Sequence, residues 1–204
     1  MGKLTKKILG NVGGAVGDIT FSGWNGQTVI KAKSEGSKAA PTTAQLFVRE
    51  KFKVMSQLAS AFAHVIPIGL DGKAEGVTDY NLFRKLNYSN LSGTAGALVV
   101  DNSMIVLSRG RLEVLDTLGV SIAGRIITVN WNYDNYGNGT DKVTIVAYCP
   151  AFKQSYANTA SIRSTGNAAL SVPSIWATKQ VFVYAFTGNA EISSATQYVG
   201  VVTV

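Results

Sequence analysis

The sequence predicts an α+β protein: an N-terminal extended arm with a β-hairpin, then two helices, then a C-terminal β-sandwich. Three observations carry that prediction. An Asn25-Gly26 pair sits between two β-forming runs near the start of the chain. One segment, from about residue 42 to 63, repeats apolar residues at helical spacing. From about Ala97 the chain becomes short β-forming runs divided by turn clusters. The expected division is therefore an arm over 1–40, a helical segment over 41–96 and a sandwich over 97–204. Composition agrees: 46% of the 204 residues are hydrophobic and only 15% charged, with 21 glycines, a balance that folds and leans towards β structure.

In the arm, Asn-Gly supplies the positive φ angles of a type I′ turn. With Asn25 and Gly26 as the loop, Trp24 faces Gln27, Ser22 faces Val29 and Phe21 faces Ile30. A lone hairpin is marginal in water, so this one must dock on its own core or on another subunit. Gly10-Asn-Val-Gly-Gly-Ala-Val-Gly17 imitates a phosphate loop but lacks the Lys-Ser/Thr ending, and it reads as a flexible segment of closely approaching backbone.

Residues 34–41 form a linker ending at Pro41, and Thr42-Thr43-Ala-Gln45 resembles a capping box. Val48, Phe52, Met55, Ala59 and Phe62 then make one stripe of an amphipathic helix, a core or subunit-interface face, with Arg49, Glu50, Lys53 and Gln57 opposite. Ile66-Pro67 ends it. Thr78 caps a shorter helix from Asp79 to about Leu86, expected to bury Tyr80, Phe83 and Leu86.

Strands are expected at Met104–Leu112, Arg125–Tyr133, Lys142–Tyr148, Ser155–Arg163, Ala168–Val172, Gln180–Phe186 and Gln197–Val204. Short, evenly spaced strands argue for a sandwich. Trp131, in Ile127-Thr-Val-Asn-Trp131, stands where immunoglobulin-like and fibronectin-like domains keep a core tryptophan; Cys149 is the lone cysteine, so no internal disulfide forms and the fibronectin-like variant fits better.

The chemistry of the chain is sparse. His64 is the single histidine, which removes a histidine-built metal site, and no Gly-x-Ser-x-Gly elbow is present. Asp134, Asn138 and Asp141 read as turn residues rather than calcium ligands. No catalytic residue, cofactor site or metal site is expected, and the chain is not expected to be an enzyme. The N-terminus has lysines before Ile8 and Leu9, but Asn11 and several glycines interrupt any leader-like apolar core, and no run is long enough to span a membrane.

Charge is uneven. Residues 1–53 hold nine Lys/Arg against three acids, while 112–204 hold five against five. The candidate interface residues therefore lie in the arm: Phe21, Trp24 and Ile30 as anchors, with Lys3, Lys6, Lys7, Lys31 and Lys33 as charge contacts.

Gly2-Lys-Leu through Ile8-Leu-Gly, Gly13-x-x-x-Gly17, Gly23-Trp24-x-Gly26 and Pro41-Thr-x-x-Gln45-x-x-x-Arg49-x-Lys51-Phe52 form a pattern that continues through Tyr80-Asn81, Val106-Leu-Ser-Arg-Gly110, Val129-x-Trp131 and Asp141-x-Val143. The pattern resembles an uncharacterised family of roughly 200-residue proteins (a domain of unknown function) from Bacteroidota and their phages. Ile30-Lys31 departs from that family, whose members often have a bulky residue and Arg there, and the loop after Pro67 is atypical. The resemblance implies a phage or prophage setting and supplies no catalytic residue.

The expected function is thus non-enzymatic: a multi-copy structural protein of a bacteriophage virion, a head-decoration, connector or tail component assembling through its arm. Its partners would be other copies of itself and other virion proteins, with weak nucleic-acid contact through the arm. It would be made in the bacterial cytoplasm. One alternative is a β-sandwich binding module for a surface glycan or protein, using Tyr133, Tyr136 and an exposed Trp176. A second is a cytoplasmic nucleic-acid-binding protein using the basic arm.

Overall fold

A computed structural model describes residues 2–4, 13–24, 27–33, 39–70, 76–133 and 137–204. The chain divides into two compact units, 1–42 and 43–204. It is mostly β-sheet with few helices.

The first unit is one antiparallel sheet. Its strands are β1 (Gly2–Leu4), β2 (Gly14–Val16), β3 (Ile19–Trp24) and β4 (Gln27–Ala32), in the order β1-β4-β3-β2. The β3–β4 ladder has the expected register, with Trp24 opposite Gln27, Ser22 opposite Val29 and Phe21 opposite Ile30. The Asn25-Gly26 loop itself lies outside the described residues. Part of the glycine-rich stretch is strand rather than loop: Val16 pairs with Ile19 across a two-residue turn whose first residue, Gly17, has φ +57°. A positive φ at the first loop position suits a type II′ turn. Among the described residues of this unit, Val29 alone is buried.

The second unit begins with α1 (Thr43–Ala61), α2 (Ile66–Gly69) and α3 (Asp79–Asn87). Two helices were expected; the extra turn, α2, starts at Ile66-Pro67, where Pro suits a first-turn position that needs no N–H donor. Thr78 caps α3 as predicted, its hydroxyl accepting from the Asn81 N–H at 3.3 Å. A hairpin of β5 (Leu91–Thr94) and β6 (Ala97–Val100) follows, then β7 (Asp116–Ala123), β8 (Ile126–Asn132), β9 (Lys142–Cys149), β10 (Gln154–Ile162), β11 (Asn167–Ser171), β12 (Gln180–Gly188) and β13 (Gln197–Thr203). One sheet runs β10-β9-β12-β13 and another β11-β8-β7.

Alternation along β9 and β12 explains the layering. Val143, Ile145, Ala147 and Cys149 join Val181, Val183 and Ala185 in one core, shared with Ile127, Val129 and Trp131 of the three-stranded sheet. The intervening residues Val146, Tyr148, Tyr184 and Phe186 point to the opposite face, into a second core filled by Met55, Leu58, Phe62 and Phe83 from the helices. The unit is therefore three layers: helices, a four-stranded sheet and a three-stranded sheet. A sheet covered on both faces reads as continuous apolar sequence, as Val143-Thr-Ile-Val-Ala-Tyr-Cys149 does. The helices thus pack on one face of the four-stranded sheet within a single 43–204 unit.

Several expectations are corrected. Met104–Leu112 is not a strand. It is an extended segment whose backbone is satisfied mostly from outside any ladder. The buried Asn87 carboxamide receives the Val106 N–H at 2.7 Å and donates to the Val106 carbonyl at 2.9 Å, and the Thr196 hydroxyl receives the N–H groups of Leu107 and Ser108 at 2.8 and 2.7 Å. The missed strand is β7, whose apolar Leu118, Val120 and Ile122 alternate on one face only, interrupted by Gly119. The β5–β6 hairpin was also missed; its two-residue turn uses Gly96 at φ +81°. On α1 the stripe splits: Met55, Ala59 and Phe62 are buried, but Val48 and Phe52 are about half exposed, at 45% and 54%, because the first turns project beyond the sheet core. Tyr80 is exposed too, while Phe83 is buried and Leu86 packs at the core margin.

Candidate functional site

The N-terminal sheet has two unlike faces. Strand alternation puts Val16, Ile19, Phe21, Ile30 and Ala32 on one side, since Val16 pairs with Ile19, Ile19 with Ala32 and Phe21 with Ile30. Val16 is 67% exposed and Ile19 46%, with Phe21 and Ile30 half-buried. Thr20, Ser22, Val29 and Lys31 alternate onto the other side. Strands β1 and β2 are the two edges, so each leaves one row of backbone N–H and C=O groups without a ladder partner in this sheet.

The predicted interface residues are only partly gathered. Phe21 and Ile30 are brought together as a cross-strand pair. Lys31 stands on the opposite side, opposite Thr20, and Lys33 follows β4, its N–H donating to the Asp18 carbonyl at 2.6 Å; both lysines are exposed. Trp24 ends the ladder opposite Gln27, and Lys3 lies in β1 opposite Val29. Lys6 and Lys7 fall outside the described residues.

A second site in the 43–204 unit joins α1 to the start of β10. An open cleft of about 710 Å³ is lined by Lys53, Ser56 and Ser60 from the helix and by Lys153, Ser155 and Tyr156 from the strand side, with no acid in its wall. The Lys153 ammonium donates to the Gln57 amide oxygen at 2.8 Å, and the Ser155 hydroxyl to the Ala61 carbonyl at 2.7 Å. Lys153 has φ +52°, a left-handed conformation that a non-glycine residue rarely takes. The Tyr156 ring meets Trp176 edge-on, with centroids 5.3 Å apart. The helix-side residues carry a weak sequence signal, a polar face at three-to-four-residue spacing. Their pairing with residues about a hundred positions away has none.

The other candidate residues are structural. Trp176 is fully buried, which corrects its assignment as an exposed binding aromatic; the apolar Val172-Pro-Ser-Ile-Trp stretch folds it into the inter-sheet core. Tyr133 is half-buried and Tyr136 lies outside the described residues. Asp141 is buried beside Arg163, with Oδ2 3.8 Å from the guanidinium Nε, and Asn138 accepts from the Thr140 N–H at 3.1 Å, an ordinary turn contact; Asp134 is outside the described residues. Arg163 is the residue that sequence reasoning missed. It is 3% exposed, donates to the carbonyls of Glu113 and Val114 and to the Thr187 hydroxyl, and its own carbonyl receives the Trp131 indole N–H at 2.7 Å. Asp141 and Trp131, both in the sequence pattern above, thus converge on it.

His64 is exposed, and partial burial lowers its pKa below the usual 6.5. Burial, helped by the adjacent Cys149, pushes the Tyr148 phenol up to about 12, and burial raises Tyr184 further. Neither phenol is poised for proton transfer near neutral pH. Among the described residues, no three His, Cys, Asp or Glu side chains are placed to hold a metal ion, and no helix is long and apolar enough to cross a membrane.

Among solved structures, the chain is similar to the fn3 domain of human contactin 1, at 16% identity and a TM-score of 0.32, covering 53% of this chain and 94% of that one. No curated protein matches the sequence. The family comparison reaches nearly the whole length, both units included: its model matches residues 9–200, and the chain belongs to the family of unknown function DUF6266.

Proposed function

We propose that the protein is a non-enzymatic structural component, present in many copies, that joins its neighbours through the sheet of residues 1–42. One observation carries the reading: this sheet exposes Val16 and Ile19 on an apolar face and, among the described residues, its edge strands β1 and β2 have no further ladder partner. Exposed apolar surface next to an unpaired edge favours strand addition and face-to-face burial. Exposed Lys31 and Lys33 add positive charge that suits an acidic neighbour. The phage-particle setting, with synthesis in the bacterial cytoplasm, rests on the sequence resemblance.

Within the second unit, strands β7 to β13 are proposed as a fibronectin-like sandwich acting as the rigid body. Support comes from the connectivity: the first, second and fifth strands form one sheet and the third, fourth, sixth and seventh the other, with Trp131 between them.

The test is the mass of the full-length protein in solution, by light scattering across a concentration series, for wild type and Ile19→Glu. A multimer that the glutamate disperses to monomers supports assembly through this face. A wild-type monomer at all concentrations, or a multimer indifferent to the charge, defeats it.

A further inference from the structure

We infer that the cleft between α1, β6 and the end of β9 is a binding site for a carboxylate with an apolar tail, a medium-chain fatty acid, independent of the N-terminal sheet. The cleft has a volume of about 380 Å³, within the range of small-molecule sites. Among the described residues that line it, Lys153 alone is charged, and the wall holds no acid.

A buried phenol supplies the first contact. Tyr148 is 5% exposed and lines this cleft. Its hydroxyl has no hydrogen-bond partner among the described residues, yet it is not sealed from solvent. The neighbouring phenol differs: the Tyr184 hydroxyl donates to the Asn102 carbonyl at 2.6 Å. Burial first, and the adjacent Cys149 second, push the Tyr148 phenol up to about 12, so it stays protonated near neutral pH and remains available as a donor. Lys153 supplies the second contact. Its ammonium donates to the Gln57 amide oxygen at 2.8 Å, and that neutral acceptor leaves its charge and its other N–H donors for a ligand. Backbone bonds from the Phe152 N–H to the Cys149 carbonyl and from the Lys153 N–H to the Pro150 carbonyl fix where the side chain starts. An ionised carboxylate brings one charge and two acceptor oxygens, which one ammonium and one phenol satisfy.

The rest of the wall takes the tail. Strand alternation puts Leu98 and Val100 on one face of β6 and Val99, 61% exposed, on the other. Val100 packs on the helix-side core, whereas Leu98 is half-buried outside it. With the buried Leu58 of α1 they form an apolar trough. A bare anion would leave that trough unfilled, and an uncharged chain would leave the ammonium and the phenol to water. A charged head with an apolar tail uses both halves of the cleft.

The experiment is a titration of the full-length protein with octanoate, acetate and octanol, followed by amide NMR shifts. Saturable shifts at residues 54–58, 98–102 and 148–153 are expected with octanoate, and acetate and octanol should each bind about tenfold more weakly or worse. Lys153→Gln should weaken octanoate by about tenfold, the loss of one charge-assisted hydrogen bond, and leave octanol unchanged. Tyr148→Phe should weaken octanoate by a similar factor while its thermal midpoint stays level, because the hydroxyl it removes holds nothing in the protein. A Tyr148→Phe protein that loses thermal stability and binds octanoate like wild type makes the hydroxyl structural and overturns the proposal. Octanol binding as tight as octanoate reduces the cleft to bare apolar surface and overturns it too, as do octanoate shifts confined to the N-terminal sheet.

Discussion

Two four-stranded antiparallel sheets in this chain make opposite use of the same architecture. In β10-β9-β12-β13, the two inner strands bury nearly every residue, with helices against one face and a second sheet against the other. In β1-β4-β3-β2, Val29 alone is buried among the described residues, and Val16 and Ile19 face solvent. The first sheet is stabilised by its own chain. The second displays the apolar side chains of Val16 and Ile19 and, among the described residues, two edge strands with no further ladder partner, and the contrast predicts where substitutions will and will not be felt.

The largest effect belongs to the covered sheet. Phe62 is fully buried, and its ring centroid lies 4.8 Å from that of Tyr148, 6.1 Å from Phe83 and 6.2 Å from Tyr184. Phe62→Ala should cost about 3–5 kcal/mol, read from the urea midpoint of unfolding. Arg163→Ala should cost a similar amount, about 3–5 kcal/mol, because it leaves the Asp141 carboxylate buried without its cation. Adding Asp141→Ala to it should recover part of the loss. If the double variant is no better than the single, the carbonyl contacts to Glu113 and Val114, rather than the charge pair, hold the two sheets together.

How much of this was legible in sequence follows from the range of the interactions. The β3–β4 register could be read because the Asn25-Gly26 pair is a local signal in the sequence. The helices could be read because Thr78 and the apolar spacing are local signals. Residues 104–112 misled, since an apolar β-forming run looks the same whether a strand or side chains satisfy its backbone. Here the partners Asn87 and Thr196 lie 19 and nearly 90 residues away. Gly110 belongs to the same lesson: an added Cβ would overlap the Ser193 carbonyl, a close approach invisible before folding. Arg163 looked like a strand-end charge and is a buried clasp, and the Lys53–Lys153 cleft exists only once β10 starts beside α1.

Thr196→Val tests that side-chain bracing at intermediate size. It strands the N–H groups of Leu107 and Ser108, and should cost about 1–3 kcal/mol with amide exchange accelerated first at those two positions. The buried phenols set the alkaline limit of the same unit. Tyr184 and Tyr148 both have folded pKa values above the unfolded value of 10, so the stability they protect is intact below pH 10 and falls as pH rises beyond it. Tyr184→Phe loses the hydrogen bond to the Asn102 carbonyl, about 1 kcal/mol at pH 7. Its deficit against wild type should shrink steadily above pH 10 in chemical unfolding measured across pH.

The smallest expected effect is the most informative about the open sheet. Val16→Glu places a charge at a site that is already 67% exposed. In dilute protein, where copies are apart, the 43–204 unit should unfold within about 0.5 kcal/mol of wild type, as for most surface substitutions. At high concentration the comparison should change sign of interest: wild type gains stability as copies associate, because assembly that binds the folded state raises its apparent stability, and the variant does not. A concentration-dependent gap that opens only for substitutions on the Val16–Ile19–Phe21–Ile30 face would separate an assembly surface from an ordinary exposed sheet. Equal behaviour of both proteins at every concentration would show that this face does not join copies of the chain, and would defeat the assembly reading.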